Sequence, residues 1–359
     1  MFNNIFKDKQ VLITGHTGFK GAWLSIWLHE LGAKITGYAL APPTQPCLFE
    51  TSAISTRVDS TAGDVRNFEE LRKLIKSSKP EIVFHLAAQT IVRKSYKDSL
   101  ETYETNIMGT VNLLEACRDS VSVRVIVVVT SDKCYEIMDH NRGYKENDPI
   151  GGHDPYSSSK GCAELITAAY RKSYFNNENS KNHKISLVSV RAGNVIGGGD
   201  WAEDRLVPDC VKALAQKKPI VVRYPDAIRP WQHVLDPLYG YLLLVSRLYE
   251  NRPELRGAWN FGPDDDAFKP VKWIVSQLSE RWGHDVPLIM DQKNNSFEDN
   301  CLWLDSGKAK SGIGWSPKWS IATALQKTVE WYKAFYSNEA DMFNLTVNQI
   351  SDYQISIHK

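Results

Sequence analysis

Gln10-Val11-Leu12-Ile13-Thr14-Gly15-His16-Thr17-Gly18-Phe19-Lys20-Gly21 decides the fold. A short apolar, β-branched run stops at a glycine, and a segment of helical period begins at Phe19, in which Trp23, Ile26, Trp27 and Leu31 share one face. This predicts strand, turn, helix. Glycines three apart lie in the turn, where the N-terminus of a helix presents unpaired N–H groups to an anion. Gly15 permits the turn, Gly18 lets a phosphate approach the backbone, and Gly21 allows close helix-to-strand packing. Backbone N–H groups of Gly15, His16, Thr17, Gly18, Phe19, Lys20 and Gly21 are therefore candidates to hold a dinucleotide pyrophosphate. The Lys20 ammonium either faces that pyrophosphate or is solvated.

Further strand patterns run over Lys34 to Tyr38, Glu81 to Ala87, Arg124 to Thr130 and Ile185 to Val190, with helical patterns at Phe68 to Lys76, Thr105 to Arg118 and Ser157 to Phe175. Continuous apolar strands alternating with helices predict an α/β fold, a doubly wound, Rossmann-type parallel sheet covered on both faces. After Arg191 the character changes. Gly197-Gly198-Gly199 reads as a mobile turn, prolines become frequent, and the tryptophans at 259, 273, 282, 315, 319 and 331 read mostly as core. The expected division is a dinucleotide-binding domain over 1–192, with a returning segment near 230–260, and a smaller α+β substrate region over 193–340. The polar stretch 176–182 reads as a surface loop and the last dozen residues as a tail.

The 359 residues carry 43 Lys and Arg against 42 Asp and Glu, a net charge of +1, with 42% hydrophobic and 24% charged residues. That composition excludes disorder and argues against a nucleic-acid or membrane partner. No apolar run approaches the roughly 18 residues of a membrane span. The first residues lack the basic start and apolar stretch of a signal peptide, so the expected location is the cytosol. Six scattered cysteines without a C-x-x-C pair read as reduced thiols, and no metal site is expected. His233 has no second histidine at ligand spacing and reads as a packed, hydrogen-bonded side chain.

The acid that often ends the second strand and holds a ribose hydroxyl is missing from Tyr38-Ala39-Leu40-Ala41, as is an arginine for a 2′-phosphate, which tilts the expected cofactor toward NAD. Asp64 and Val65 are candidates at the adenine. Leu86, Ala87 and Ala88 end the fourth strand with residues that let a ribose approach. Tyr156-Ser157-Ser158-Ser159-Lys160 puts a phenol and an ammonium four apart on one helix face. With the ammonium and a positive nicotinamide nearby, Tyr156 is expected to ionise more readily and take a hydroxyl proton as hydride leaves. Thr130 and Ser131 end the fifth strand, where a hydroxyl can orient the substrate oxygen; Thr130, Tyr156 and Lys160 are also cofactor candidates.

Cradle, strand-end hydroxyls and Y-x-x-x-K pair, in this order, resemble the extended short-chain dehydrogenase/reductase family. Thr130-Ser131-Asp132-Lys133-Cys134-Tyr135, Arg191-Ala192-Gly193-Asn194-Val195-Ile196-Gly197-Gly198-Gly199-Asp200-Trp201, Asp204-Arg205-Leu206-Val207-Pro208-Asp209 and Arg229-Pro230-Trp231-Gln232-His233-Val234 narrow the resemblance to nucleotide-sugar 4,6-dehydratases. The resemblance runs from about residue 5 to 335 and implies a lyase. In that reaction hydride passes from C4 of CDP-D-glucose to NAD, water leaves across C5 and C6, and hydride returns to C6. The product would be CDP-4-dehydro-6-deoxy-D-glucose, a precursor of deoxysugars in surface polysaccharide such as lipopolysaccharide O-antigen. Similar dTDP-glucose dehydratases hold Asp and Glu where this chain has Asp132 and Lys133. Asp132 is then the expected donor to the C6 hydroxyl. Lys133 is either the base at C5 or a group that polarises the 4-keto oxygen or forms an ion pair.

Asn194, Arg205, Arg223 and Arg229 are the expected contacts to the sugar diphosphate. The family pattern His-Glu-Ala before the last strand reads Phe297-Glu298-Asp299 here. A homodimer or higher homo-oligomer packed through helices near 100–118 and 157–175 is implied. Two rival readings are a nucleotide-sugar 4-epimerase, which needs no elimination pair, and a non-enzymatic dinucleotide-binding sensor, which needs no hydride-transfer groups.

Overall fold

A computed structural model describes residues 2–138, 141–175, 185–283, 286–290, 302–338 and 340–358. Its strands are β1 (Gln10–Thr14), β2 (Lys34–Ala39), β3 (Asp59–Ala62), β4 (Ile82–His85), β5 (Val125–Val129), β6 (Ser186–Arg191), β7 (Val195–Ile196), β8 (Ile220–Val222), β9 (Ile228–Pro230), β10 (Gln232–His233), β11 (Gly257–Asn260), β12 (Phe268–Pro270) and β13 (Leu288–Met290). A parallel seven-stranded sheet has the order β11-β6-β5-β4-β1-β2-β3, and the short strands pair as β10 with β7, β12 with β9 and β13 with β8.

Strand chemistry explains the layering. Every residue of β5 (Val-Ile-Val-Val-Val) is buried, and its side chains alternate between faces. Val125, Val127 and Val129 join one core, while Ile126 and Val128 join the other. Strand order reverses between β1 and β4, so the crevice beyond their carboxyl ends is the expected ligand position of such a sheet. Asp154 caps the helix Pro155–Ser173, accepting from Ser157 N at 2.9 Å, with Pro155 in its first turn. That cap fixes where Tyr156 and Lys160 begin.

Four expectations change. The tail is the end of a helix, Met342–Ile357, capped by Asp341 and burying Phe343, Thr346, Ile350 and Tyr353 on one face. That helix covers the first one: Tyr353 meets Trp27 edge-on at 5.8 Å. Residues Gly21–Leu28 are consequently buried all round, where one apolar face was expected. The glycine triplet is packed and buried, not a mobile turn. A Cβ at Gly198 would lie 2.0 Å from the Trp331 ring and one at Gly199 2.7 Å from Leu48, and Trp23 Nε1 donates to Gly198 O at 2.9 Å. The helical pattern from Thr105 divides into a wide π-type turn, Glu104–Met108, and an α-helix, Gly109–Arg118. The stretch 176–182 lies outside the described residues, as does Phe297-Glu298-Asp299. Cys47, Cys117, Cys134, Cys162 and Cys210 are free thiols.

The C-terminal helix is fastened by a buried carboxyl. Asp236 Oδ1 accepts from Tyr353 Oη at 2.6 Å and from Lys318 N at 2.7 Å, while Oδ2 has no partner among the described residues. Burial pushes the Asp236 carboxyl up from 3.8 to about 6. The folded state then binds more protons than the unfolded one between those values, so the stabilisation is present at low pH and is lost as pH rises through about 6. Asp236→Asn is expected to be more stable than the parent at pH 7.5, by about 1–3 kcal/mol, with the gap closing near pH 4. Thermal melts of both proteins across that range check this.

Candidate active site

The cradle follows from backbone geometry. Gly15 has φ +76°, and a Cβ there would sit 2.6 Å from Ala87 N; one at Gly21 would sit 2.2 Å from Gly15 O. At Gly18 the sole neighbour of such a Cβ among the described residues is Gly15 O at 3.4 Å, so its outer side is bare. Gly18 also N-caps the helix Phe19–Glu30 without a side-chain cap, leaving the first-turn N–H groups for an anion. These residues fit a dinucleotide pyrophosphate.

Side chains of the cradle mostly turn inward. His16 Nε2 meets Ser60 Oγ at 2.7 Å, and burial holds the ring neutral with a pKa near 4, pushed down to about 4 from 6.5. Thr17 Oγ1 donates to Leu40 O at 3.1 Å, and the Phe19 ring lies 3.3 Å from where a Gly197 Cβ would be. Asp64 is held by Arg66, whose guanidinium keeps the carboxyl below its usual range, and Asp64 O accepts from Tyr38 Oη at 3.0 Å. Val65 is buried against Gly109. Leu86, Ala87 and Ala88 follow β4, which Thr14 joins to β1 through a 2.7 Å contact with His85 Nδ1.

The turn after β5 carries the candidate reactive groups. Ser131 caps the short 3₁₀ turn Asp132–Cys134, accepting from Lys133 N at 3.3 Å and donating to Asp132 Oδ1 at 2.8 Å. Gly193 makes room for the Asp132 carboxylate, since a Cβ there would lie 1.9 Å from Oδ2. Asp132 is buried and Lys133 partly so. The Ser131 hydroxyl is within bonding reach of Tyr156 and, with Arg205, favours the phenolate. Burial nonetheless pushes Tyr156 up to about 12. The desolvation of a side chain 8% exposed outweighs the favourable charges in the protein alone.

Lys160 is buried and donates to Val129 O at 3.3 Å; burial pulls it down to about 8. Lys20 is partly buried and is also lowered to about 8, by burial first and then by Arg205 and Lys160, with Asp132 opposing. Asp132, Lys160 and Arg205 are the charges that act on its ammonium. The Thr130 hydroxyl is bonded to Glu164 on the helix behind.

The expected diphosphate ligands have different partners. Arg205 Nη1 pairs with Asp200 at 2.7 Å, and Nη2 donates to Thr90 at 3.2 Å, beside Tyr156. Arg223 and Arg93 share Asp204, at 3.2 and 3.1 Å. Arg229 lies in β9 and donates to Ile228 O at 2.9 Å. Asn194 sits at φ 43° after β6, its carbonyl accepting from Gln232 N at 3.2 Å. His233 is fully buried as expected, with Nδ1 accepting from Leu235 N at 3.3 Å, but Nε2 has no partner among the described residues. Sequence reasoning missed Glu164, Thr90 and Asp200. Glu164 alone had a local signal, falling one helical turn after Lys160.

A family model described as GDP-mannose 4,6 dehydratase matches residues 12–328. The chain belongs to that family. Among relatives of the GDP-mannose 4,6 dehydratase family, it is 49% identical over 350 residues to the CDP-glucose 4,6-dehydratase of Salmonella typhimurium, covering 98% of this chain and 97% of that one. The fold matches solved structures. The UDP-glucose 4-epimerase of Thermotoga maritima with UDP-glucose has a TM-score of 0.78 at 21% identity, covering 90% of this chain and 99% of that one. The dTDP-glucose 4,6-dehydratase of Streptomyces venezuelae with NAD has 0.76 at 22%, covering 92% and 99%.

Proposed function

We propose that this chain converts CDP-D-glucose to CDP-4-dehydro-6-deoxy-D-glucose and water, with NAD as a cofactor regenerated in each turnover. The observation that carries the reading is the 49% identity to a CDP-glucose 4,6-dehydratase across 98% of the chain. It is supported by Asp132 and Lys133 standing on one turn with Ser131, beside Tyr156. A 4-epimerase has no use for an acid and a base on that turn, and a sensor has no use for Ser131, Tyr156 and Lys160.

When bound, NAD supplies a hydride acceptor for C4 and returns the same hydride to C6. Gly15, Gly18 and Gly21, with the backbone of His16, Thr17, Phe19 and Lys20, would hold its pyrophosphate. Asp64 and Val65 would meet the adenine, Leu86 to Ala88 a ribose, and Lys160 would fix the nicotinamide end beside Thr130. Tyr156 takes the C4 hydroxyl proton, with Ser131 orienting that oxygen. The new ketone acidifies C5, so Lys133 can remove the C5 proton while Asp132 protonates the departing C6 oxygen. Asn194, Arg205, Arg223 and Arg229 neutralise and orient the sugar diphosphate.

The dinucleotide half is proposed to span 1–192 with the returning segment near 230–260, and the sugar-nucleotide half 193–340. Exposed Tyr96, Leu100, Met108 and Leu165, on the helical segments at 92–108 and on 155–173, support a homodimer through those helices. Among the described residues no helix is long and apolar enough to cross a membrane. We place the enzyme in the cytosol, supplying deoxysugar precursors for surface polysaccharide.

Incubation with CDP-, dTDP-, UDP- and GDP-linked glucose plus NAD tests the reading. A 4-keto-6-deoxy product, followed by its alkali-induced absorbance, is expected from CDP-glucose at a rate at least about tenfold above the others. Equal rates, or turnover confined to another base, would overturn the cytidine assignment.

A further inference from the structure

We propose that Glu164 is a positioning residue of this site, fixing the Ser131-Asp132 turn through Thr130 and Arg191 and balancing the charge of Lys160. The proposal rests on the dehydratase reading.

Glu164 is buried, and its four bonds leave little acceptor capacity. Oε1 accepts from Thr130 Oγ1 and from Arg191 Nε at 2.8 Å; Oε2 accepts from Ser189 Oγ at 2.7 Å and Arg191 Nη2 at 2.7 Å. Both side chains of the Glu164–Arg191 pair are 3% exposed. A pair so deep has a large desolvation cost, and well-packed apolar residues often stabilise as well, so stability alone gives a weak reason for it.

Its connections lead to the reacting groups. Thr130 directly precedes Ser131. Arg191 stands two residues before Gly193, the glycine packed on the Asp132 carboxylate. Arg191 also bonds Tyr135 Oη and lies 4.7 Å from that ring centroid, while Tyr135 Oη donates to Asn260 Oδ1 at 2.8 Å. One carboxylate thereby ties the ends of β5, β6 and β11 to the turn that bears Asp132 and Lys133.

Glu164 also lies one turn along the helix from Lys160. The groups facing that ammonium are Val129 O, the Cys134 thiol from the turn, His85 from β4, Lys20 from the first helix, and Glu164 from its own helix. Burial holds the Cys134 thiol protonated and keeps His85 neutral, and Lys20 adds a like charge. Glu164 is the ionised carboxylate in this set.

Glu164→Gln keeps the shape and removes the charge. The expected result is a folded protein with kcat for CDP-glucose down at least about tenfold and KM changed less than about threefold, the pattern of lost positioning in the transition state. The midpoint for acetylation of Lys160, followed by mass spectrometry across pH in the protein without substrate, should fall by about one unit, and the high-pH limb of kcat should move with it. If this variant fails to fold, Thr130→Val leaves the ion pair intact and is expected to lower kcat several-fold, with Thr130→Ser restoring it. An unshifted Lys160 midpoint in folded Glu164→Gln, parental kcat in Thr130→Val, or failure of Thr130→Ser to restore it overturns the proposal. Should the parent itself turn over no nucleotide sugar, the dehydratase reading fails, while the Lys160 midpoint still decides whether Glu164 balances that charge.

Discussion

Tyr156→Phe is expected to lower kcat by about 10²–10⁴-fold while leaving the fold and KM nearly unchanged. The ring is buried, so phenylalanine preserves the packing and removes the group proposed to accept the C4 proton. Burial pushes the phenol up to about 12, with Ser131 and Arg205 pulling the other way. At neutral pH the phenolate is a small fraction, which grows as pH rises. The parent's kcat/KM should therefore climb with pH on its acid limb, helped by the positive charge of Arg205, whereas the residual rate of the variant should be flat there. Rates from the alkali-induced absorbance, with melting curves to check folding, measure this. Retention of more than a tenth of the parental rate would remove Tyr156 from the role of base.

Lys133→Met is the second large effect. In the proposed reaction oxidation at C4 uses Tyr156 and Ser131, and elimination needs a base at C5. The variant is expected to lose product formation by at least about 10²-fold and to lose exchange of the C5 hydrogen with deuterated solvent to a similar degree. Methionine keeps the length of the side chain, and the backbone at 133 stays fixed by Ser131 Oγ and by Asp132 Oδ1 at 3.0 Å. Undiminished exchange with product formation lost would reassign Lys133 to polarising the 4-keto oxygen. Those two measurements separate proton removal at C5 from all other steps.

Much of the candidate site was legible because its parts are local. Gly15, Gly18 and Gly21 mark a turn between a strand and a helix, a geometry that few other residues permit. Tyr156 and Lys160 show themselves by helical spacing, and Ser131, Asp132 and Lys133 by following a β-branched run. The partner of the Thr130 hydroxyl was not legible, since Glu164 lies 34 residues further along the chain. Lys20 was ambiguous for a related reason: its place in the first turn of a helix says nothing about which charges the neighbouring strands bring within reach.

The chain alone indicated the alternation of strands and helices up to Arg191, the glycine turn and the candidate reacting groups, since each depends on periodicity or backbone freedom within about ten residues. Tertiary structure decided whatever depends on partners far apart in the chain. It turned the C-terminal segment into a helix by giving Tyr353 a place between Trp27 and Asp236. It buried the glycine triplet under Trp331 and Leu48, and it brought Glu164 to Thr130, Ser189 and Arg191. A parallel sheet joins its strands through crossovers, so residues that touch at the carboxyl ends are separated by whole helices in sequence. Their pairing energies act only once that sheet has formed.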